Sequence, residues 1–201
     1  MKFDRSATAL LVVDLQNDTV GEGGAFADSG AADFFSRHGV HAKARSVLDA
    51  ARSAGVAVIF VWHVDEPGHR DSTRNAELFR SIADADGLVR GTWGVKPIDG
   101  IEPQDGEAVV EKQRMSSFND TTLDTKLRGL GAQTIVVIGA WTNWAVEHTC
   151  RDGADLGYEV VVVTDATATI SDEFQNAALN FALTTVAERA TAADVVAALA
   201  G

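Results

Sequence analysis

This 201-residue sequence contains a single cysteine, Cys150, and that scarcity alone removes several classes of protein. No intrachain disulfide can form, and a cysteine-rich zinc or iron–sulfur site is excluded. Positive charge is also in short supply: 17 Lys and Arg stand against 29 Asp and Glu, a formal net charge of −12. Nucleic-acid binders carry a basic footprint, so no nucleic acid is expected as a partner, and the same argument disfavours an anionic membrane. Long apolar runs are missing too. The apolar stretches are strand-length, as in Val160 to Val163, and Met1 to Arg5 has no signal-peptide h-region. Membrane spanning and secretion are therefore not expected, and the chain reads as cytoplasmic. Without Pro-rich, Ser-rich or charge-run linkers, one domain over residues 1–201 is expected.

What is present is an ordinary globular composition, 46% hydrophobic and 23% charged, arranged in an alternating pattern. After Thr8 the run Ala-Leu-Leu-Val-Val-Asp is continuously apolar and stops at a carboxylate, as a strand buried on both faces does. Gly21 to Gly30 reads as loop. His41 to Ala54 reads as a helix turning Ala44, Val47, Leu48 and Ala51 inward, and Ala57 to Trp62 as a second buried strand. A long irregular stretch, Glu66 to Pro103, includes a short helix near Ala76 to Ala83. A third strand follows at Ala108 to Val110, ending at Glu111-Lys112. Thr122 to Leu130 is a helix closed by Gly131, and Thr134 to Ile138 a fourth strand. Then come a helix from Asn143 to Leu156, a strand from Glu159 to Thr164 and a helix from Asp172 to Leu183. A strand at Val186 to Arg189 and a helix from Ala192 to Leu199 close the chain. Alternation of this kind predicts an α/β fold: a doubly wound, mostly parallel six-stranded sheet between two helical layers.

In such sheets ligands bind beyond the carboxyl ends of the strands, which singles out Asp14, His63, Lys112, the Gly139 to Ala145 turn and Asp165. Asp14 and Lys112 would each leave a neighbouring strand at the same edge, where a carboxylate and an ammonium could hold a proton for transfer. Taken alone, such a pair is as readily a structural ion pair.

The residues then become specific: Val12-Val13-Asp14-Leu15-Gln16-Asn17-Asp18; Val109-Val110-Glu111-Lys112 with Ser117-Phe118 and Thr121-Thr122-Leu123; and Ile138-Gly139-Ala140-Trp141-Thr142-Asn143. In this order they resemble the isochorismatase-like, or cysteine-hydrolase, superfamily, which includes nicotinamidases, N-carbamoylsarcosine and ureidoacrylate amidohydrolases, and isochorismatases. The resemblance implies strand order 3-2-1-4-5-6 and, in amidase members, a triad of Asp, Lys and Cys. Asp14 and Lys112 match the first two. Where those members read Gly-x-x-Thr-x-x-Cys-Val, Gly139 to Val146 reads Gly-Ala-Trp-Thr-Asn-Trp-Ala-Val, with Ala145 at the nucleophile position. A methyl group forms no thioester. Cys150 lies five positions on, rotated by roughly 140° about a helix, and reads as a core residue. The resemblance also implies an oxyanion hole from the backbone N–H groups of Trp141 and Ala145, with a cis Ala140–Trp141 bond.

Several aromatic and polar residues become candidates for substrate contact. Trp93, in Gly91-Thr92-Trp93-Gly94, could stack on a planar substrate or simply pack a loop. Trp141 and Trp144 flank the turn on opposite faces, one facing the pocket and the other the core or a subunit contact, and Phe118 and His63 are further candidates. Nicotinamidases build a metal site from Asp and His in the region of His63 and His69, but this spacing differs, so no metal and no cofactor is expected. Asn17, Asp18 and Asp165 read as structural, and Gln16 as orienting the Asp14 loop. The resulting expectation is a hydrolase of a small planar metabolite that uses Asp14 and Lys112 without a cysteine. Two alternatives stand beside it: a cysteine-dependent amidohydrolase inactivated by a Cys-to-Ala change at 145, and a non-catalytic small-molecule binder. Homo-oligomers are common in the family, and one is expected here.

Overall fold

β1 (Thr8–Val13) is buried along its whole length, and its alternate residues feed two separate cores. Leu10 and Val12 point into one, Ala9, Leu11 and Val13 into the other, as the two-residue period of a strand dictates. The computed structural model describes residues 1–201. It places β1 beside β2 (Ala57–His63) and β4 (Thr134–Ala140), with β3 (Ala108–Lys112), β5 (Glu159–Ala168) and β6 (Glu188–Ala190) outside them in the order β3-β2-β1-β4-β5-β6. All five pairings are parallel, where the sequence had predicted a mostly parallel sheet.

The short α1 (Asn17–Val20) and α2 (Ala31–Arg37) follow β1; neither was predicted, because the first is a single turn and the second is framed by glycines. With α2, α3 (Val40–Ser53) and α8 (Ala192–Ala200) cover one face; the apolar stripe of α3, Ala44, Val47, Leu48 and Ala51, is buried as its spacing required. α5 (Leu123–Gly129) and α6 (Glu147–Asp155) cover the other face, together with a wide turn at Ala178–Ala182 that ends α7 (Asp172–Ala177). α4 (Glu77–Asp84) stands apart in the long segment between β2 and β3. Asp165 accepts from the Ala192 N–H at 2.7 Å and thereby ties β5 to the start of α8.

β6 begins at Glu188 rather than Val186 and α7 stops at Ala177, short of Leu183; β5 and the helix after β4 differ more. β5 runs to Ala168 rather than Thr164 because its pairing with β4 skips register: Val137 faces Val162, whereas Gly139 faces Thr167. The extra residues form a bulge whose polar Thr164 and Asp165 end the apolar run and hide the continuation. The helix expected from Asn143 begins instead as a wide turn, Thr142–Val146, before α6 takes over at Glu147.

Candidate active site

β1 sits where the strand order reverses, so the chain leaves its carboxyl end between two diverging loops and a crevice opens there. Asp14 is the first residue past β1, with φ 49°, and its N–H donates to Val61 O at 2.8 Å. Lys112 ends β3, which is not the neighbour of β1: β2 lies between them. The neighbouring-strand expectation is corrected accordingly. Two inter-strand gaps of about 4.8 Å separate the backbones, and the long lysine stem bridges them. Lys112 Nζ donates to Asp14 Oδ2 at 2.7 Å, with the lysine fully buried and the aspartate 5% exposed. Taking both charges out of water is costly, and the short contact offsets that cost only while both partners are present. The other carboxylate oxygen, Asp14 Oδ1, is buried and has no partner.

The turn after β4 meets this pair from the other side. Gly139 pairs with Val13 at φ 140°, and a Cβ there would collide with the Val13 carbonyl, so only glycine allows the strands to close at this point. The Ala140–Trp141 peptide is cis. No carbonyl of the chain accepts from the Trp141 N–H. The Trp141 indole donates to Thr19 O at 2.9 Å, and its ring lies 4.9 Å from that of Trp144. Both tryptophans line the same cavity, which corrects the expectation that they face apart; the wide turn brings rings three residues apart onto one side. Ala145 lies in this turn with its methyl in the cavity wall.

The cavity measures about 590 Å³ and brings Asp14, His63, Trp141, Trp144 and Ala145 together. Gln16, fully buried, fixes His63 by its backbone: Gln16 Oε1 accepts from the His63 N–H at 3.0 Å and Gln16 Nε2 donates to His63 O at 2.9 Å. The loop-orienting role expected of Gln16 is thus exerted on the strand end next to Asp14. Behind His63, Asp65 bridges two imidazoles, with Oδ1 3.2 Å from His63 Nε2 and Oδ2 2.7 Å from His69 Nδ1. Burial pushes the Asp65 carboxyl up, but hydrogen bonds and charge attraction from His63 and His69 outweigh it, leaving the group below the usual carboxylate range.

Trp93 and Phe118 do not reach this cavity. Trp93 is 54% exposed on another face, and its segment works as a clamp. Trp93 O accepts from Asn17 Nδ2 and Gly94 O from the Asp18 N–H, both at 2.9 Å, while the Asp18 carboxylate takes the N–H groups of Ala25 and Leu88. Phe118 stacks on Tyr158, ring centroids 5.9 Å apart, against the helical layer of α5 and α6. Cys150 is fully buried in that layer and its thiol is pushed up to about 12 by burial, so it supplies no thiolate. The walls that sequence reasoning missed are Phe26, Leu78, Ile82, Leu88, Met115 and Ile170. Leu78 and Ile82, spaced by four on α4, carried a helical signal; the others sit singly in polar loops and carried none.

An isochorismatase domain model matches residues 8–194. Among curated proteins, the ureidoacrylate amidohydrolase of Agrobacterium fabrum is 35% identical over 181 residues, covering 84% of this chain and 79% of that protein. The ureidoacrylate amidohydrolase of Stutzerimonas stutzeri is 38% identical over 187 residues, covering 87% and 75%. Among solved structures, a cysteine hydrolase from Pseudomonas syringae superposes with a TM-score of 0.86 at 29% identity, covering 100% of this chain and 95% of that one.

Proposed function

The chain belongs to the isochorismatase family and is a hydrolase, and from that premise we propose that it cleaves a small planar molecule without a side-chain nucleophile. Asp14 moves the proton, and Lys112 holds the carboxylate in place. The observation that carries this reading is the buried Asp14–Lys112 pair, with Asp14 Oδ1 left without a partner and Asp14 and Ala145 both lining the cavity.

For an amide or ureide, the class named in the amidohydrolase relatives, the reaction divides into two proton transfers. Asp14 Oδ1 takes a proton from water as the water oxygen bonds to the carbonyl carbon. The displaced electron pair settles on the carbonyl oxygen, received by the backbone N–H groups of Trp141 and Ala145. Collapse breaks the C–N bond, and the proton held by Asp14 passes to the leaving nitrogen. A vinyl ether would use the same carboxyl in reverse order: protonated Asp14 gives its proton to carbon, water adds to the resulting oxocarbenium ion and returns a proton to Asp14, and the hemiketal then breaks its C–O bond to release the alcohol and a carbonyl.

A second reading, favoured by the amidase form of the Gly139 to Val146 turn, is a cysteine-dependent amidohydrolase in which alanine has replaced the nucleophile. The experiment that separates the two assays hydrolysis of isochorismate and a panel of small amides and ureides by the parent, Asp14→Asn and Ala145→Cys. Turnover by the parent that falls by about a hundredfold or more in Asp14→Asn supports the first reading. Turnover that survives Asp14→Asn within about twofold overturns it. Amide cleavage seen only in Ala145→Cys moves the assignment to the second, and inactivity of all three leaves a small-molecule binder.

A further inference from the structure

Once Asp14 and Lys112 are paired, the cavity has nothing with which to receive an anion. No lysine or arginine lines it, and Lys112 is fully buried and committed to Asp14 Oδ2. Its one imidazole, His63, is already balanced by Asp65 at 3.2 Å. Glu77 lines the mouth, exposed to solvent and paired with Arg80 at 3.1 Å. Three arginines of the neighbouring segments have partners of their own: Arg114 lies over the Phe79 ring at 3.5 Å and donates to Thr73 O and Asn75 Oδ1. Arg80 is held by Glu77 and the Arg74 carbonyl, and Arg90 by Glu66 and Glu111. None of these three arginines lines the cavity.

What the cavity does offer is flat apolar surface beside two residues, Asp14 and Thr19, that each keep a buried side-chain oxygen without a partner. Ten of its sixteen lining residues are hydrophobic, among them the paired Trp141 and Trp144 rings. The lone polar atoms are Asp14 Oδ1, an acceptor, and Thr19 Oγ1, a hydroxyl, both buried without partners. A carboxylate brings no proton to Asp14 and would set an unpaired negative charge beside it in a largely apolar cavity, an unfavourable arrangement. A neutral amide N–H satisfies Asp14 Oδ1 directly, while its ring lies along the tryptophans.

We infer that the site takes an uncharged, flat, largely apolar molecule bearing an N–H donor, such as an aryl amide or aryl urea, and discriminates against carboxylates. The inference rests on reading this cavity as the substrate site, but it concerns binding and so can be tested apart from turnover.

The test titrates the unmodified protein with 2-naphthamide and with its isosteric anion 2-naphthoate at neutral pH, following tryptophan fluorescence and heat. The expected result is a dissociation constant for the amide lower than that for the carboxylate by about tenfold or more, one factor of ten being worth about 1.4 kcal/mol. In Ser81→Arg, which sets a guanidinium on an exposed position of α4 at the cavity wall, the preference should narrow by about tenfold. Naphthoate binding as tight as naphthamide in the unmodified protein, or no binding of either, overturns the inference. Amide binding without hydrolysis leaves it standing and defeats the catalytic reading. Hydrolysis confined to carboxylate-bearing substrates does the reverse.

Discussion

Deleting one end of a buried ion pair leaves the other in apolar surroundings with nothing to balance it. Lys112→Met should therefore cost about 3–5 kcal/mol of folding stability in urea denaturation, and the double variant Asp14→Asn/Lys112→Met should recover part of that loss. A double variant no more stable than Lys112→Met would mean the lysine matters for packing rather than charge. Asp65 makes a pH-dependent counterpart. Its folded carboxyl lies below the unfolded value of about 3.9, so it contributes stability that is present above that pH and is lost as pH falls through the folded value. The stability gap between parent and Asp65→Asn should accordingly hold above about pH 4 and narrow as pH falls below it. Asp14 and Lys112 were legible in the sequence because each stops an apolar run with a charge that cannot stay buried alone. Trp93 was not: nothing in Gly-Thr-Trp-Gly says which side of a loop faces the crevice, and the answer depends on hydrogen bonds to Asn17 and Asp18, some seventy-five residues away.

At the scale of elements, strand identity was read almost residue for residue wherever a strand is buried on both faces, as in β1, β2 and β4, because a short, unbroken apolar run leaves no polar side for a helix or loop to turn toward water. The sequence was silent where register shifts. Nothing in Thr-Asp-Ala-Thr-Ala announces that β5 resumes pairing past its bulge. That bulge and Gly139 together let the end of β4 bend over the cavity, so Gly139→Ala should destabilise the fold by about 3 kcal/mol or more. The same variant should weaken ligand binding, read by thermal unfolding and by titration. An unfolding temperature within a degree or two of the parent would refute the steric argument.

For the whole molecule, the sheet joins segments far apart in sequence: Thr8 pairs with Thr134, and Val13 with both Val61 and Gly139. Such contacts form and break together, so the amides of β1 and β4 should be the last to exchange with deuterated solvent, and those of α4 and the surrounding rim among the first. Exchange of β1 as fast as α4 would show that the two halves of the sheet open independently.

The net charge of −12 also bears on how a ligand arrives, before any contact is made. An anion diffusing toward the crevice climbs an opposing field, so its encounters are slowed in dilute buffer and quicken as added salt shortens the reach of that field from about 30 Å at 0.01 M to about 8 Å at 0.15 M. An uncharged molecule feels no such gradient, and its association rate should be indifferent to ionic strength.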